Sequence, residues 1–325
     1  MKKQTLTSSI LTAACVFPAI APAQTGADIY PAKTVRIIAP FPPGGSVDTV
    51  GRLIAARLTE SYGQNFVIDN RSGASGSIGM EIAANSPGDG YTLVVNTIPL
   101  VTNQFLFSRV PYDVMRDFVP VSLLTTTASV MIAHPSLPAK TVRELITLAR
   151  ARGDALTYGG AGPGTNPHIA GELFNYMARS NISVIQFKGG GPAMIAAVAG
   201  EISLGIPALP DALSFVRSGR LRALGITGLK RMPQFPDVPA IAETLPGYEF
   251  TTWQGLLAPK NTPQAIVTSL SDRVKKSLAT PESTKRFTDG GLDIVASTPE
   301  AFAAHLKKEI EKWGRVIRER GMKAD

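Results

Sequence analysis

Two turns rich in glycine and proline, each set between an apolar segment and an amphipathic one, hold the residues best placed for chemistry. The first runs Pro40, Phe41, Pro42, Pro43, Gly44, Gly45, Ser46, Val47, Asp48; the second spans 158–168 and holds Gly159, Gly160, Ala161, Gly162, Gly164, Thr165, Asn166, Pro167 and His168. Turns of this composition bring backbone N–H groups to the start of a helix, where the helix dipole also favours negative charge. Two of them suit two lobes gripping one small anion. The glycines serve positive φ in any case. Asp48, Thr165, Asn166 and His168 also read as ordinary helix-start residues, so for each a structural role stands beside ligand contact.

Other chemistries lack their residues. The segment 160–165 misses the last glycine of a dinucleotide fingerprint, and 159–166 has no Gly-Lys-Ser/Thr of a phosphate loop. Ser77 stands where a nucleophile elbow needs glycine. The single cysteine is Cys15, and no two of His134, His168 and His305 share a helical i, i+4 spacing, which argues against a thiol nucleophile and a zinc pair. No cofactor or metal is expected, and no catalytic residue stands out.

The elements around the turns follow from hydrophobic spacing. Residues 34–38 read as a buried strand, 48–60 as a helix with Val50, Leu53, Ile54 and Leu58 on one face, and 66–68 and 91–95 as further strands. Strand, helix, strand at this spacing is a βαβ unit with a parallel pair, whose ligands collect at the carboxyl ends of the strands. The middle of the chain repeats the pattern. Thr141 and Glu144 form a capping box, 156–158 is a short strand, Asn166 caps a helix with Pro167 in its first turn, and 184–187 is a strand. A helix is expected from Pro192 to near Gly200, and a strand over 221–226. Thr298 opens a long helix whose stripe of Phe302, Leu306, Ile310, Trp313 and Ile317 is core.

Lys2 and Lys3, the apolar stretch 6–21 and the small residues Ala21 and Ala23 read as a signal peptide over 1–23, removed on export to the periplasm. The net charge of +8 is spread along the chain without a Lys/Arg block, which argues against a nucleic-acid partner and fits an acidic small ligand. A chain this long is more than one core usually serves, so two lobes are expected.

Ordered motifs carry a resemblance. They are Ala39 through Asp48, 69–79, Asp89-Gly90-Tyr91-Thr92-Leu93, 117–122, Gly171-Glu172-Leu173-Phe174, 188–193, 221–224, 236–239 and 253–259. Over residues 31–325 the sequence resembles the Bug family of periplasmic solute receptors of tripartite tricarboxylate transporters. The resemblance implies an α/β, two-lobed type II periplasmic binding protein fold (a Venus flytrap), each lobe a mostly parallel sheet flanked by helices. Residues 24–126 with 249–325 would form one lobe and 127–248 the other, hinged near 124–129 and 249–253. It implies a monomeric, non-enzymatic receptor that holds a small organic carboxylate through backbone amides and delivers it to membrane transporter subunits; a ligand sensor, or a periplasmic enzyme on the same scaffold, are the other readings. The ligand-binding set is then Phe41, Pro43, Gly44, Gly45, Ser46, Asp48, Thr97, Gly160, Ala161, Gly162, Thr165, Asn166, His168, Phe187, Lys188, Gly189 and Ala208. The chain departs from the family pattern at 96–100 and 206–210, where it is less polar, and the expected ligand therefore has an apolar or aromatic body.

Overall fold

A computed structural model describes residues 30–152 and 155–324; the expected signal peptide and Cys15 lie outside these residues. In chain order come β1 (Val35–Ala39), α1 (Ser46–Tyr62), β2 (Phe66–Asn70), α2 (Ser77–Ala84), β3 (Thr92–Asn96), α3 (Pro99–Leu106), α4 (Val114–Asp117) and β4 (Phe118–Ala128). After Ser129 follow β5 (Val130–Ala133), α5 (Val142–Arg152), β6 (Thr157–Gly160), α6 (Asn166–Ala178), β7 (Ser183–Gln186), α7 (Gly190–Ala199), β8 (Leu204–Gly205), α8 (Leu209–Arg217) and β9 (Arg222–Ile226). The chain closes with β10 (Thr251–Pro259), α9 (Gln264–Leu278), α10 (Pro281–Asp289), β11 (Asp293–Ile294) and α11 (Pro299–Arg320).

The strands form two sheets, a six-stranded one in the order β11-β4-β10-β3-β1-β2 and a five-stranded one in the order β7-β6-β8-β5-β9. Helices α1, α3, α9 and α11 pack on or beside the first, and α6, α7 and α8 against the second. The result is an α/β fold of two lobes. Both sheets are mixed yet mostly parallel, as expected: four of the six strands and four of the five point one way. The βαβ pairs are parallel, β1 with β2 and β3, β6 with β7 and β8. The strands that carry the chain between lobes run the other way: β10 is antiparallel to β3 and β4, and β5 to β8 and β9. Local periodicity encodes a βαβ crossover, but the direction of a strand linking two sheets depends on the partner sheet.

β4 passes through Ser129 into β5, so a single buried residue separates the two sheets on the way out. Thr227 fastens this crossing to the return one. Its hydroxyl accepts from the Ser129 N–H at 2.7 Å and donates to the Phe250 carbonyl at 2.6 Å, and its own N–H reaches the Ser129 carbonyl at 2.9 Å. These groups are fully buried, so leaving one unpaired would cost ~1–3 kcal/mol.

The stripe on α11 is core as expected: Phe302, Leu306, Trp313 and Ile317 are buried, with Ile310 partly so. Each full burial contributes ~1.5–3 kcal/mol. The indole N–H groups of Trp253 and Trp313 both donate to Glu309 at 2.9 Å, so the two largest buried side chains leave no donor unmet. Two boundaries differ from the sequence reading. Helix α7 starts at Gly190 instead of Pro192, and the N-cap of α6 is Thr165, with Asn166 already helical. Among the described residues no helix is long and apolar enough to cross a membrane.

Candidate ligand-binding cleft

Between the lobes lies a cleft with about 710 Å³ of empty space, part of it open to solvent. From the first lobe it is lined by Phe41, Pro42, Gly45, Ser46, Val47, Thr97 and Pro99. The second lobe supplies Gly159, Ala161, Thr165, Asn166 and Pro167 from the second turn, and Gly190, Ala193, Met194 and Ala197 from α7. Ile202, Gly205, Ile206, Pro207, Ala208 and Asp211 complete the wall. The lining contains no Lys, Arg or His, and Asp211 is its single ionisable side chain.

Five helices begin at lining residues: α1 at Ser46, α3 at Pro99, α6 at Asn166, α7 at Gly190, and α8 just after Ala208. The N-caps of all five, Gly45, Ile98, Thr165, Gly189 and Ala208, make no side-chain cap bond. First-turn N–H groups have no partner inside a helix, but Leu100 and Val101 of α3 donate to the Thr97 and Ile98 carbonyls and Asp211 of α8 to the Ala208 carbonyl, so the first turns of α1, α6 and α7 are the ones left open to a ligand. The positive ends of the helix dipoles converge on the same space.

Each turn is braced from one step inside its helix. Asp48, third residue of α1, reaches back to accept from the Gly44 N–H at 3.1 Å and is also held by Arg52 Nε at 3.0 Å and Asn70 Nδ2 at 3.0 Å. Burial alone would raise its carboxyl, but the bonds from Arg52, Asn70 and Gly44 outweigh it and hold the group below its ordinary value. His168, third residue of α6, does the same for the second turn, its Nδ1 accepting from the Gly164 N–H at 3.0 Å. Burial pushes its imidazole below the ordinary value, with Glu172 opposing part of the shift, so the ring stays neutral and can accept. Thr165 Oγ1 closes this turn on the Gly162 carbonyl at 2.6 Å, and Gln186 Oε1 accepts from the Gly162 N–H at 3.0 Å.

Of the residues singled out from sequence, Phe41, Gly45, Ser46, Thr97, Ala161, Thr165, Asn166 and Ala208 come together at the cleft. The others do not line it. Gly44, Asp48, Gly162 and His168 form the braces just described. The Gly160 carbonyl accepts from the Phe187 N–H at 2.9 Å, and the Phe187 ring lies beside Gly159. Lys188 is exposed, and Pro43 and Gly189 lie where the lobes meet; a Cβ on Gly189 would stand 3.0 Å from Pro42. Sequence reasoning missed Met194, Ile202 and Asp211. The first two looked like ordinary core, which they also are. Asp211 lies one residue beyond the flagged segment 206–210, in the first turn of α8, and that position was its available signal.

The lobes touch closely around the cleft. Thr102 Oγ1 of α3 donates to the Gly164 carbonyl at 3.0 Å, and a Cβ on Gly164 would come within 2.7 Å of Leu106. Gly164 also has φ of +75°, so both space and conformation require glycine there. Asn166 Nδ2 donates to Thr252 Oγ1 on β10 at 2.5 Å, and Thr97 shares a 3.0 Å hydroxyl contact with the same oxygen. Asn166 Oδ1 is buried and has no partner among the described residues.

Two α/β lobes joined by crossing strands, with an amide-lined cleft between them, define a solute-binding receptor of the periplasmic binding protein kind. Residues 50–322 match the model of the tripartite tricarboxylate transporter family receptor, and the chain belongs to that family. It is 35% identical to protein BugT of Bordetella pertussis over 304 residues, 93% of each chain. Among solved structures it is similar to R. palustris Rpa4515 with adipate, with a TM-score of 0.88 and 36% identity over 90% of this chain and 99% of that one. MatC from Rhodopseudomonas palustris with bound malate gives a TM-score of 0.85 and 32% identity over 89% and 100% of the two chains. The family's members are receptors, and this chain is a receptor, not an enzyme.

Proposed function

We propose that this receptor works in the periplasm, closes on a small organic carboxylate with an apolar body, and delivers it to the membrane subunits of a tripartite tricarboxylate-type transporter. The observation that carries the reading is the set of open first turns at α1, α6 and α7 around a cleft without a basic side chain. An anion held there would be held by backbone. Charge-assisted hydrogen bonds contribute ~1.5–3 kcal/mol each, and micromolar binding needs ~8 kcal/mol net, so four such bonds with some apolar burial suffice. Asn166 adds to them. With its amide turned by 180°, Oδ1 accepts from the Thr252 hydroxyl and the NH₂ group faces the cleft, the orientation a carboxylate asks for. The adipate and malate in the similar structures support an acid as ligand. Phe41, Val47, Met194, Ile202 and Ile206 in the wall support an apolar body.

In this reading the lobes are 24–126 with 249–325, and 127–248. Closure turns about 124–129 and 249–253, with Thr227 holding the two crossings together while the outer parts swing.

A thermal-shift screen across carboxylates, amines and neutral analogues tests the proposal, since a ligand selective for the folded state raises the melting temperature by mass action. Aromatic or medium-chain carboxylates are expected to give the largest shifts. Shifts from amines or neutral compounds with none from any acid would overturn the carboxylate reading. Tighter binding of aspartate or citrate than of every aromatic or long-chain acid would overturn the apolar body.

A further inference from the structure

Asp211 is the third residue of its helix, the position from which Asp48 and His168 reach back to a backbone N–H four residues earlier. For Asp211 that earlier residue is Pro207, which has no N–H to offer. Its carboxylate points elsewhere: it lines the cleft and faces the Ser46 N–H at the start of α1, on the other lobe. Its Oδ2 also stands 3.9 Å from where a Cβ on Gly190 would lie, at the start of α7. The chain thus places its own carboxyl where three helix starts meet, inside the space we assign to an acid ligand.

Asp211 belongs to the wall of that space, and its short side chain keeps the carboxyl close to it. A captured anion and an ionised Asp211 would then share a mostly apolar cleft without a basic side chain. The charged groups on the surrounding elements do not compensate. On α1, Asp48 and Arg52 neutralise each other at 3.0 Å. Residues 190–199 of α7 and 204–208 hold no ionisable side chain. Lys188 before α7, Arg217 at the far end of α8, and Asp293 of β11 are exposed. Burial between the lobes pushes the Asp211 carboxyl up to about 7, with the Ser46 N–H opposing the shift. Of the two acids, Asp211 is the one the site already disfavours as an anion.

We propose that Asp211 is the selecting residue of the cleft: it enters the loaded site as a neutral acid, its hydroxyl donating to the captured carboxylate, so that capture takes up a proton from solvent. The inference rests on the carboxylate reading above. It follows that the cleft favours one acid group at this end and rejects a second. Linkage sets the sign. A carboxyl with a raised value in the loaded state binds its proton there and releases it on opening, so affinity falls as pH rises through that value.

The test uses the full mature protein, with hexanoate, benzoate and adipate titrated calorimetrically at pH 6 and pH 8 in buffers of different ionisation enthalpy. For the acids that bind, we expect affinity about tenfold tighter at pH 6 than at pH 8, with net proton uptake. Asp211→Asn should flatten the profile and abolish the uptake, and at pH 8 it should bind the same acids more tightly than the parent. Asn is an isostere that suits a first helical turn, and an unchanged melting temperature would show the variant is folded. Binding of these acids with a flat pH profile, or the same profile in Asp211→Asn, would overturn the role of Asp211 while leaving the receptor reading standing. No binding of any of the three at either pH would overturn both.

Discussion

Helix α5 and helices α1 and α6 begin with the same device but complete it differently. In α5, on the outside of the second lobe, bonds run both ways: Thr141 Oγ1 accepts from the Glu144 N–H at 3.1 Å, and the Glu144 carboxylate reaches past the N-cap to accept from the Lys140 N–H at 2.6 Å. In α1 and α6 only the backward bond exists, through Asp48 to Gly44 and His168 to Gly164. The forward bond, in which an N-cap side chain takes first-turn amides, is missing at Gly45 and Thr165. Away from the cleft, α4, α10 and α11 have that forward cap, from Asp113, Thr280 and Thr298, while α2 and α9 lack it. The difference teaches how a backbone site is built. The turn is fixed by a side chain on its far flank, and the amides on the near flank stay open for a guest.

The largest expected effect comes from supplying the missing bond. Gly45 has φ of −90°, and a Cβ there meets nothing within 4 Å, so Gly45→Asp should fold and its carboxylate should cap α1. We expect at least a hundredfold loss of affinity for the best acid in the screen with a melting temperature unchanged or raised; a hundredfold loss is ~2.7 kcal/mol. Retained affinity would break the comparison, because the α1 amides would then not be the seat.

A second effect separates the two braces by pH. His168 has a depressed folded value, so its contribution is intact above its ordinary value of 6.5 and is lost as pH falls below it. Asp48 is also depressed, but from 3.8, so its contribution is intact above that and is lost only as pH falls further. Amide exchange corrected for intrinsic rates should show Gly164 losing protection at a higher pH than Gly44 as the solution is acidified. Parallel loss at both amides, or none at Gly164, would contradict the assigned braces.

The smallest effect is at the outer helix. Thr141→Ala should cost ~1 kcal/mol of stability, as loss of an N-cap does, read by chemical denaturation. It should leave affinity for the same acid unchanged, and a change in affinity would mean that outer caps also tune the cleft.

Much of this arrangement was legible in the sequence because helix starts are local. Glycine and proline turns before apolar periodicity located α1 and α6, and the spacing of Thr141 and Glu144 marked the start of α5. Which way a polar side chain turns is not local. Asp48 read equally as cap or contact and His168 more as a packed helix-start residue, until the fold gave each a backbone N–H to hold. Asp211 drew no notice because its importance comes from Pro207 behind it and Ser46 opposite, two residues related only through the closed lobes. The antiparallel course of β5 and β10 was hidden for the same reason.

A crystal structure of the protein with its best acid bound tests the central claim most directly. The account predicts one carboxylate within hydrogen-bond distance of first-turn N–H groups of both α1 and α6, with Asp211 beside it and no lysine or arginine in contact. An acid group seated on Lys188 or another side-chain cation, or lodged outside the space between the two helix starts, would contradict it.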